Sequence, residues 1–153
     1  MPRIDVSLEP EEIQRYLEAP RTGSLASLDR DGFPHQAGMW YLPEADRIVM
    51  WTYRASQKAV NLRRNPRASL LVHDGDSYVT LRGVLVRGRI EFIDDTERVR
   101  EIGLRLQQRY SPADATSDAA RAAIEHQATR RVGLLLPTNR VTSWDHRKLA
   151  AKA

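Results

Sequence analysis

At 153 residues, 41% of them hydrophobic and 29% charged, the chain has the size and composition of one globular domain. It contains no cysteine, which excludes disulfide bonds and thiolate catalysis, and its frequent charges exclude a transmembrane helix. The net charge of +4 comes from basic residues dispersed among acidic ones, so we expect neither nucleic acid nor a membrane as a partner. Charges also interrupt the N-terminus, where we see no secretory signal pattern and therefore expect a cytoplasmic location.

The first half of the sequence predicts one short helix, then β-hairpins, then a second helix. Ser7 is the expected cap of the first helix, and the stretch 29–32 (Asp-Arg-Asp-Gly) is typical of a hairpin turn. The predicted elements are a helix over 7–19, strands over 23–28, 34–42 and 47–53, and a helix over 56–65 that Pro66 ends.

In the second half, strands flank two helices. Gly83 and Gly88 lie within a long alternating run, where glycine is typical of bulges or close backbone approach. The predicted elements are strands over 68–73 and 78–93, helices over about 95–110 and 118–129, and strands over 132–136 and 139–144. This pattern indicates a single mainly β domain over 1–153, an antiparallel barrel with a helical insertion at about 95–129.

The segment 51–62 carries the clearest chemical signal. Thr52 and Ser56 bring hydroxyls, and Arg54 and Lys58 bring cations, to the point where a strand leads into a helix. The first backbone N–H groups of a helix lack partners and carry partial positive charge, so this arrangement suits a phosphate. The alternative is an ordinary helix cap at Ser56 beside two solvated surface charges, and the spacing by itself leaves both interpretations open.

Metal ligands and acid–base catalysts are not apparent in the sequence. The four histidines lack the spacing of a metal site. Asp94 and Asp95 are typical of a helix cap and not of a catalytic carboxylate pair. We therefore expect no metal, and the sequence identifies no catalytic residue.

The segment 51–62 is part of a longer pattern that extends over residues 22–93 and 132–148. The pattern consists of Gly32-x-Pro34, then Thr52, Ser56, Lys58, Asn61-Leu62 and Asn65-Pro66, then the Gly83 run, and finally Val141-Thr142-Ser143-Trp144-Asp145. It resembles the signature of the pyridoxamine-phosphate-oxidase-like split barrels. The resemblance implies a mainly β fold, a six-stranded antiparallel split β-barrel with peripheral helices, which forms a homodimer with the cofactor in a groove between two barrels.

The resemblance also implies which residues bind the cofactor of such a protein. Ser56, Lys58 and Thr52 would hold its phosphate, and Arg54 and Arg64 would meet an acidic tail. The remaining implied cofactor-binding residues are Gln36, Met39 and Trp40 at the ring edge, Tyr78 and Trp144 on the substrate side, and Asn61 within the motif.

Two departures from the namesake oxidases bear on the choice of cofactor. Those enzymes carry an arginine in the second strand, where residues 34–40 have none, and they end in a basic Arg-Leu-x-Pro segment. The Trp-Asp-His-Arg stretch at 144–147 looks more like the F420-dependent reductases of actinobacteria. This implies an oxidoreductase that transfers hydride from reduced F420 to a small conjugated acceptor: an enone, a quinone or a tetrapyrrole. The alternatives are an FMN-binding oxidase or flavin reductase of the same fold, and a non-catalytic carrier of deazaflavin or haem.

Overall fold

A computed structural model describes residues 4–151, so the predicted domain 1–153 extends beyond the described residues at both ends. The helices are α1 (Pro10–Glu18), α2 (Gln57–Arg64), α3 (Thr96–Tyr110), α4 (Asp118–Ala128) and α5 (Arg147–Ala150). The strands are β1 (Gly23–Leu28), β2 (Pro34–Met39), β3 (Leu42–Pro43), β4 (Arg47–Tyr53), β5 (Arg67–Asp74), β6 (Arg82–Arg89), β7 (Glu91–Ile93), β8 (Arg131–Pro137) and β9 (Val141–Asp145). Within this range no helix has the length and apolar character needed to cross a membrane.

The strands form two antiparallel sheets. One has the order β2-β1-β5-β6-β9 and the other the order β3-β4-β8-β7. Alternate side chains of each strand face the space between the sheets, as the period of a strand requires. The core there contains Leu25, Leu70 and Val84 from the first sheet and Met50 and Leu134 from the second, all shielded from solvent.

This mainly β architecture confirms the predicted class but differs from a six-stranded barrel, because the described residues form nine strands in two sheets. The run predicted as one strand over 78–93 is divided. Tyr78–Thr80 form a 3-10 turn, which Ser77 and Thr80 close with reciprocal hydrogen bonds. The backbone N–H of Ile90 donates to the carbonyl of Pro66 over 2.8 Å. At this residue the chain passes from the five-stranded sheet to the four-stranded one.

Helix α1 begins three residues later than predicted. Glu9, and not Ser7, is its N-cap, and a capping box joins Glu9 to Glu12. Pro10 then occupies the first helical turn, where its missing N–H costs no hydrogen bond. The predicted caps at Ser56 and Asp95 are confirmed, since each side chain accepts a hydrogen bond from the backbone three residues on.

The predicted helical insertion forms α3 and α4, which cover the outer side of the four-stranded sheet. A second buried cluster joins them to it, with Val99, Ile102 and Leu106 of α3 against Val49 and Leu135 of the sheet. At Gly103 the helix lies so close to Trp51 that a Cβ there would stand 2.4 Å from the ring. The insertion is therefore packed into the domain, and one of its faces remains available to line a site.

Candidate functional site

The strand-to-helix junction places three of the predicted residues in direct contact. Thr52 is 3% exposed near the end of β4, and its hydroxyl lies 3.1 Å from that of Ser56. The Lys58 ammonium, on the first turn of α2, donates to Thr52 Oγ1 over 3.2 Å. Ser56 Oγ also accepts from the backbone N–H of Ala59. Two hydroxyls and one ammonium therefore meet at the N-terminus of α2, as the phosphate interpretation requires.

Lys58 carries its charge in a partly desolvated position. Burial lowers the pKa of its ammonium, and the positive charge of Arg131 lowers it further. No ion pair joins Lys58 to an acidic group in the described part of the chain. A negative charge from a ligand would therefore relieve an electrostatic cost that the protein alone leaves in place.

A cavity of about 460 Å³ opens beside Lys58. Its floor comes from the ends of β2 and β4, and its far wall comes from α3 and α4. Its lining residues are Gly38, Met39, Trp40, Trp51, Thr52, Tyr53, Lys58, Gly103, Leu106, Gln107, Ile124, Gln127 and Arg131. Two cations and no acid face this space, so its electrostatic preference is for an anion.

Arg131, at the start of β8, is the second cation of the cavity. Its guanidinium lies over the rings of Trp51, at 4.3 Å, and Tyr53, at 3.9 Å, and donates to Gln127 Oε1 over 3.0 Å. Its Nε is buried without a hydrogen-bond partner. Arg131 could not be identified from the sequence, because it lies 73 residues from Lys58 and only the β4–β8 pairing brings it opposite Tyr53.

Five of the predicted site residues gather at this cavity. Met39 and Trp40 line it together with Thr52 and Lys58, and Ser56 contacts Thr52. The Trp40 indole is 45% exposed and stacks on Tyr110 of α3, with 4.7 Å between centroids and 1° between planes. A flat aromatic surface thus stands beside the two cations.

Four other predicted residues lie outside the lining of this cavity. Gln36 is exposed on β2, and Arg54 reaches the carbonyl of Thr129 at the end of α4. Tyr78 is 69% exposed in its 3-10 turn, and Trp144 lies across Gly83, where a Cβ would stand 2.4 Å from its ring. This contact confirms close approach at Gly83. The cofactor roles of these four residues stay predictions.

Asn61 and Arg64 make internal contacts on α2. Asn61 is fully buried, and its amide donates to Ser27 Oγ over 3.2 Å and to Asp29 Oδ1 over 2.7 Å. Arg64 donates to the carbonyl of Leu28. Both side chains tie α2 to the β1–β2 hairpin, so they hold the segment that carries Ser56 and Lys58, and contact with a cofactor remains a prediction for them.

The chain is similar to known proteins in both sequence and fold. The family model for pyridoxamine 5'-phosphate oxidase matches residues 9–142. The chain belongs to this family. A pyridoxine/pyridoxamine 5'-phosphate oxidase of Cupriavidus taiwanensis is 37% identical over 89 residues, which cover 57% of the chain but only 40% of that relative.

Several solved structures superpose over most of the chain. A conserved hypothetical protein of Mycobacterium tuberculosis is 38% identical, covers 98% of this chain and 92% of its own, and has a TM-score of 0.86. An F420 reductase is 26% identical, with 84% and 94% coverage and a TM-score of 0.67. An FAD-binding protein of Mesorhizobium loti, at 23% identity, 90% and 93% coverage and a TM-score of 0.60, supports the fold alone.

Proposed function

We propose that the chain is an oxidoreductase that binds F420 in the cavity beside Lys58 and passes hydride to a small conjugated acceptor. One observation carries the proposal: Lys58 and Arg131 line the same cavity with no acidic partner among residues 4–151, next to two hydroxyls at a helix N-terminus. These donors fit a phosphate. Membership of the oxidase family supports the reaction type, and likeness to an F420 reductase supports the choice of cofactor.

The two sides of the cavity would bind different parts of the cofactor. Lys58, Thr52 and Ser56 would bind the phosphate, and Arg131 would add a second charge from β8. Trp40 offers a flat apolar surface for a ring system. The deazaflavin itself would supply a two-electron hydride transfer, so the protein contributes placement of the reactants and exclusion of water.

The cofactor assignment is tested by titrating purified protein with F420 and, separately, with FMN. We expect F420 to bind more tightly. The variant Lys58→Ala should lose about 1.5–3 kcal/mol of affinity, the range for a hydrogen bond to a charged group, which is roughly a ten- to hundredfold weaker Kd. Lys148→Ala is the matched control, because Lys148 is paired with Glu12 and does not line the cavity.

The outcomes of this titration separate the alternatives. Tighter binding of FMN would favour an oxidase or flavin reductase of the same fold. Binding of F420 without hydride transfer to any quinone, enone or tetrapyrrole would favour a carrier. Equal affinity of Lys58→Ala and the wild type would contradict the phosphate site for the F420 enzyme, the FMN enzyme and the carrier alike.

The proposed functional unit is a homodimer. Strand alternation places Leu71 and Leu85 opposite each other on the outer face of the five-stranded sheet, where both are half-buried, and Trp144 lies on the same face. Neither leucine belongs to the two core clusters. Apolar side chains on that face would gain burial from a second copy.

A further inference from the structure

A second, larger groove lies at the end of the five-stranded sheet where β5 begins and β6 ends. Its volume is about 900 Å³, within the range of sites for small organic ligands. The β1–β2 hairpin bounds it on one side and the β8–β9 turn on the other. It shares no lining residue with the cavity beside Lys58, so an occupant of this groove goes beyond the proposed function.

Four exposed arginines surround this groove: Arg67, Arg87, Arg89 and Arg140. Glu91 is the single acid among the lining residues. Elsewhere in the described range arginines commonly pair with acids, as Arg82 does with Asp74 and Arg147 with Asp145. None of the four groove arginines takes part in any such ion pair between described residues.

The sheet brings three of these charges onto one face. Arg67 of β5 stands directly opposite Arg89 of β6 in the ladder, and Arg87 follows two residues away on the same face. Like charges directly opposite in a ladder are destabilising. The backbone of Arg87 also donates to the carbonyl of Arg140 over 3.0 Å, which holds the turn against β6. The fold thus concentrates positive charge where an anion would relieve the repulsion.

The surface between the arginines is largely apolar. Leu28 and Pro34 contribute from the hairpin, Pro66 from the α2–β5 connection, and Pro137 from the end of β8. Prolines and strand backbone make this floor stiff, since proline has a fixed φ and a sheet restrains its strands. An inorganic anion would satisfy the charges and leave this apolar floor exposed to water.

We propose that this groove binds an organic anion whose negative groups lie on an apolar body. Arginine forms bidentate hydrogen bonds with carboxylates and phosphates, so either group matches the rim. The apolar body would cover the floor between the hairpin and the turn. Two sources share this chemistry, a chain with a phosphate head and a dicarboxylate, and direct titration distinguishes them.

The test is calorimetric titration of the full chain with decyl phosphate and with decanedioate, and with 1,10-decanediol as the uncharged analogue. We expect one or both anions to bind with no binding of the diol. The double variant Arg87→Gln/Arg89→Gln should weaken binding at least about tenfold, the effect of losing one charge-assisted hydrogen bond or more. Arg121→Gln/Arg130→Gln is the control, because it removes the same charge from exposed positions on and after α4.

Each outcome decides the proposal. Stronger binding of decyl phosphate identifies a phosphate head, and stronger binding of decanedioate identifies a dicarboxylate. Equal weakening in both double variants would show general charge attraction and overturn the proposal, as would binding of the diol. Absence of binding by both anions would also overturn it. Lys58→Ala should leave the affinity within twofold, so loss of the proposed F420 site does not affect this result.

Discussion

Lys58 is a cation with its pKa lowered by burial and by Arg131, next to a cavity that attracts anions. A bound phosphate would offset both effects, because a nearby negative charge favours the protonated amine. Protonation of Lys58 and binding of a phosphate-bearing ligand are therefore coupled. The free protein loses this proton at a lower pH than the complex does.

We expect F420 affinity to fall as the pH rises through the pKa of free Lys58, which lies below its usual value of 10.5. Affinity should be full below that pKa and should decline until the pKa of the complex is reached. Fluorescence titrations above about pH 7.5, where phosphate groups are fully ionised, measure this decline. Lys58→Ala should show a flat profile, and a decline of equal slope in the variant would exclude Lys58 as its source.

Replacing Asn61 tests whether this predicted site residue is needed for stability or for cofactor binding. Asn61→Ala removes an amide that donates to the buried Ser27 hydroxyl and to the half-buried Asp29 carboxylate, and both acceptors lose this donor. We expect the free energy of unfolding to fall by about 1–3 kcal/mol, measured by urea denaturation. The exposed Gln14→Ala variant should change it little. If the folded Asn61→Ala protein binds F420 with wild-type affinity, Asn61 contributes to stability alone, and a loss of affinity would show that the cofactor site depends on Asn61, through its hold on α2 or through contact.

The sequence predicts residues of the site that are close together along the chain. Thr52, Ser56 and Lys58 fall within seven positions, so the short connection from β4 into α2 brings them together. Arg131 could not be found in this way, because its position depends on the pairing of β4 with β8. Trp40 was predicted to line the cofactor ring, yet its stacking on Tyr110 depends on the docking of α3.

At the scale of elements, the close contact of α3 with β4 depends on Gly103, which has no side chain to separate the helix from Trp51. Gly103→Ala would place a Cβ 2.4 Å from the Trp51 ring and 2.9 Å from Ile124. We expect overpacking to lower the free energy of unfolding by about 1–3 kcal/mol. The higher helix propensity of alanine offsets roughly 1 kcal/mol of this loss. Gln108→Ala, on the exposed side of the same helix, is the control. Urea denaturation checks both, and a stabilised Gly103→Ala would show that α3 shifts freely.

The junction of β9 and α5 depends on a buried carboxylate. Asp145 is 4% exposed, and hydrogen bonds from Arg147 hold its pKa below the usual 3.8. Its contribution to stability is therefore present above pH 3.8 and is lost as the pH falls through the lowered pKa. Asp145→Asn should cost about 1.5–3 kcal/mol at pH 7.

Urea denaturation of Asp145→Asn and wild type at several pH values measures this dependence. The difference between the two proteins should shrink as the pH falls below 3.8. The exposed Asp76→Asn variant should match the wild type throughout. A difference independent of pH would mean that the side chain acts through its shape and not through its charge.

Elements with local signals were predicted with correct bounds. The strands at 23–28 and 47–53 match β1 and β4, because turn residues flank alternating or β-branched runs on both sides. The start of α1 was wrong, since a capping box at Glu9 competes with the serine at position 7. The division of 78–93 was also missed, because the hydrogen bond from Ile90 to Pro66 is a tertiary contact. Helix α5 was not predicted, because its four residues are too few to show a helical pattern in the sequence.

For the whole molecule, the part of the outer face of the five-stranded sheet around Leu71, Leu85 and Trp144 is the proposed dimer contact, and the groove arginines lie beyond it at the end of the sheet. Leu85→Lys should shift the protein from dimer to monomer in sedimentation velocity, because a charge there cannot be buried without a partner. Val79→Lys is the control, since Val79 is 57% exposed in the 3-10 turn. A wild type that sediments as a monomer at all concentrations would contradict the dimer.

The cavity beside Lys58 is built from two parts of the chain with different structural duties. The end with Thr52 and Lys58, where we propose that a phosphate binds, belongs to β4 and α2, which hydrogen bonds tie to the sheet and to the β1–β2 hairpin. Its opposite wall belongs to the inserted helices α3 and α4. Substitutions in these helices at Gln107 or Gln127 change the wall without removing a ladder hydrogen bond. Under the proposed function, substitutions in the insertion would change the preference for an acceptor without changing the residues proposed to bind the cofactor.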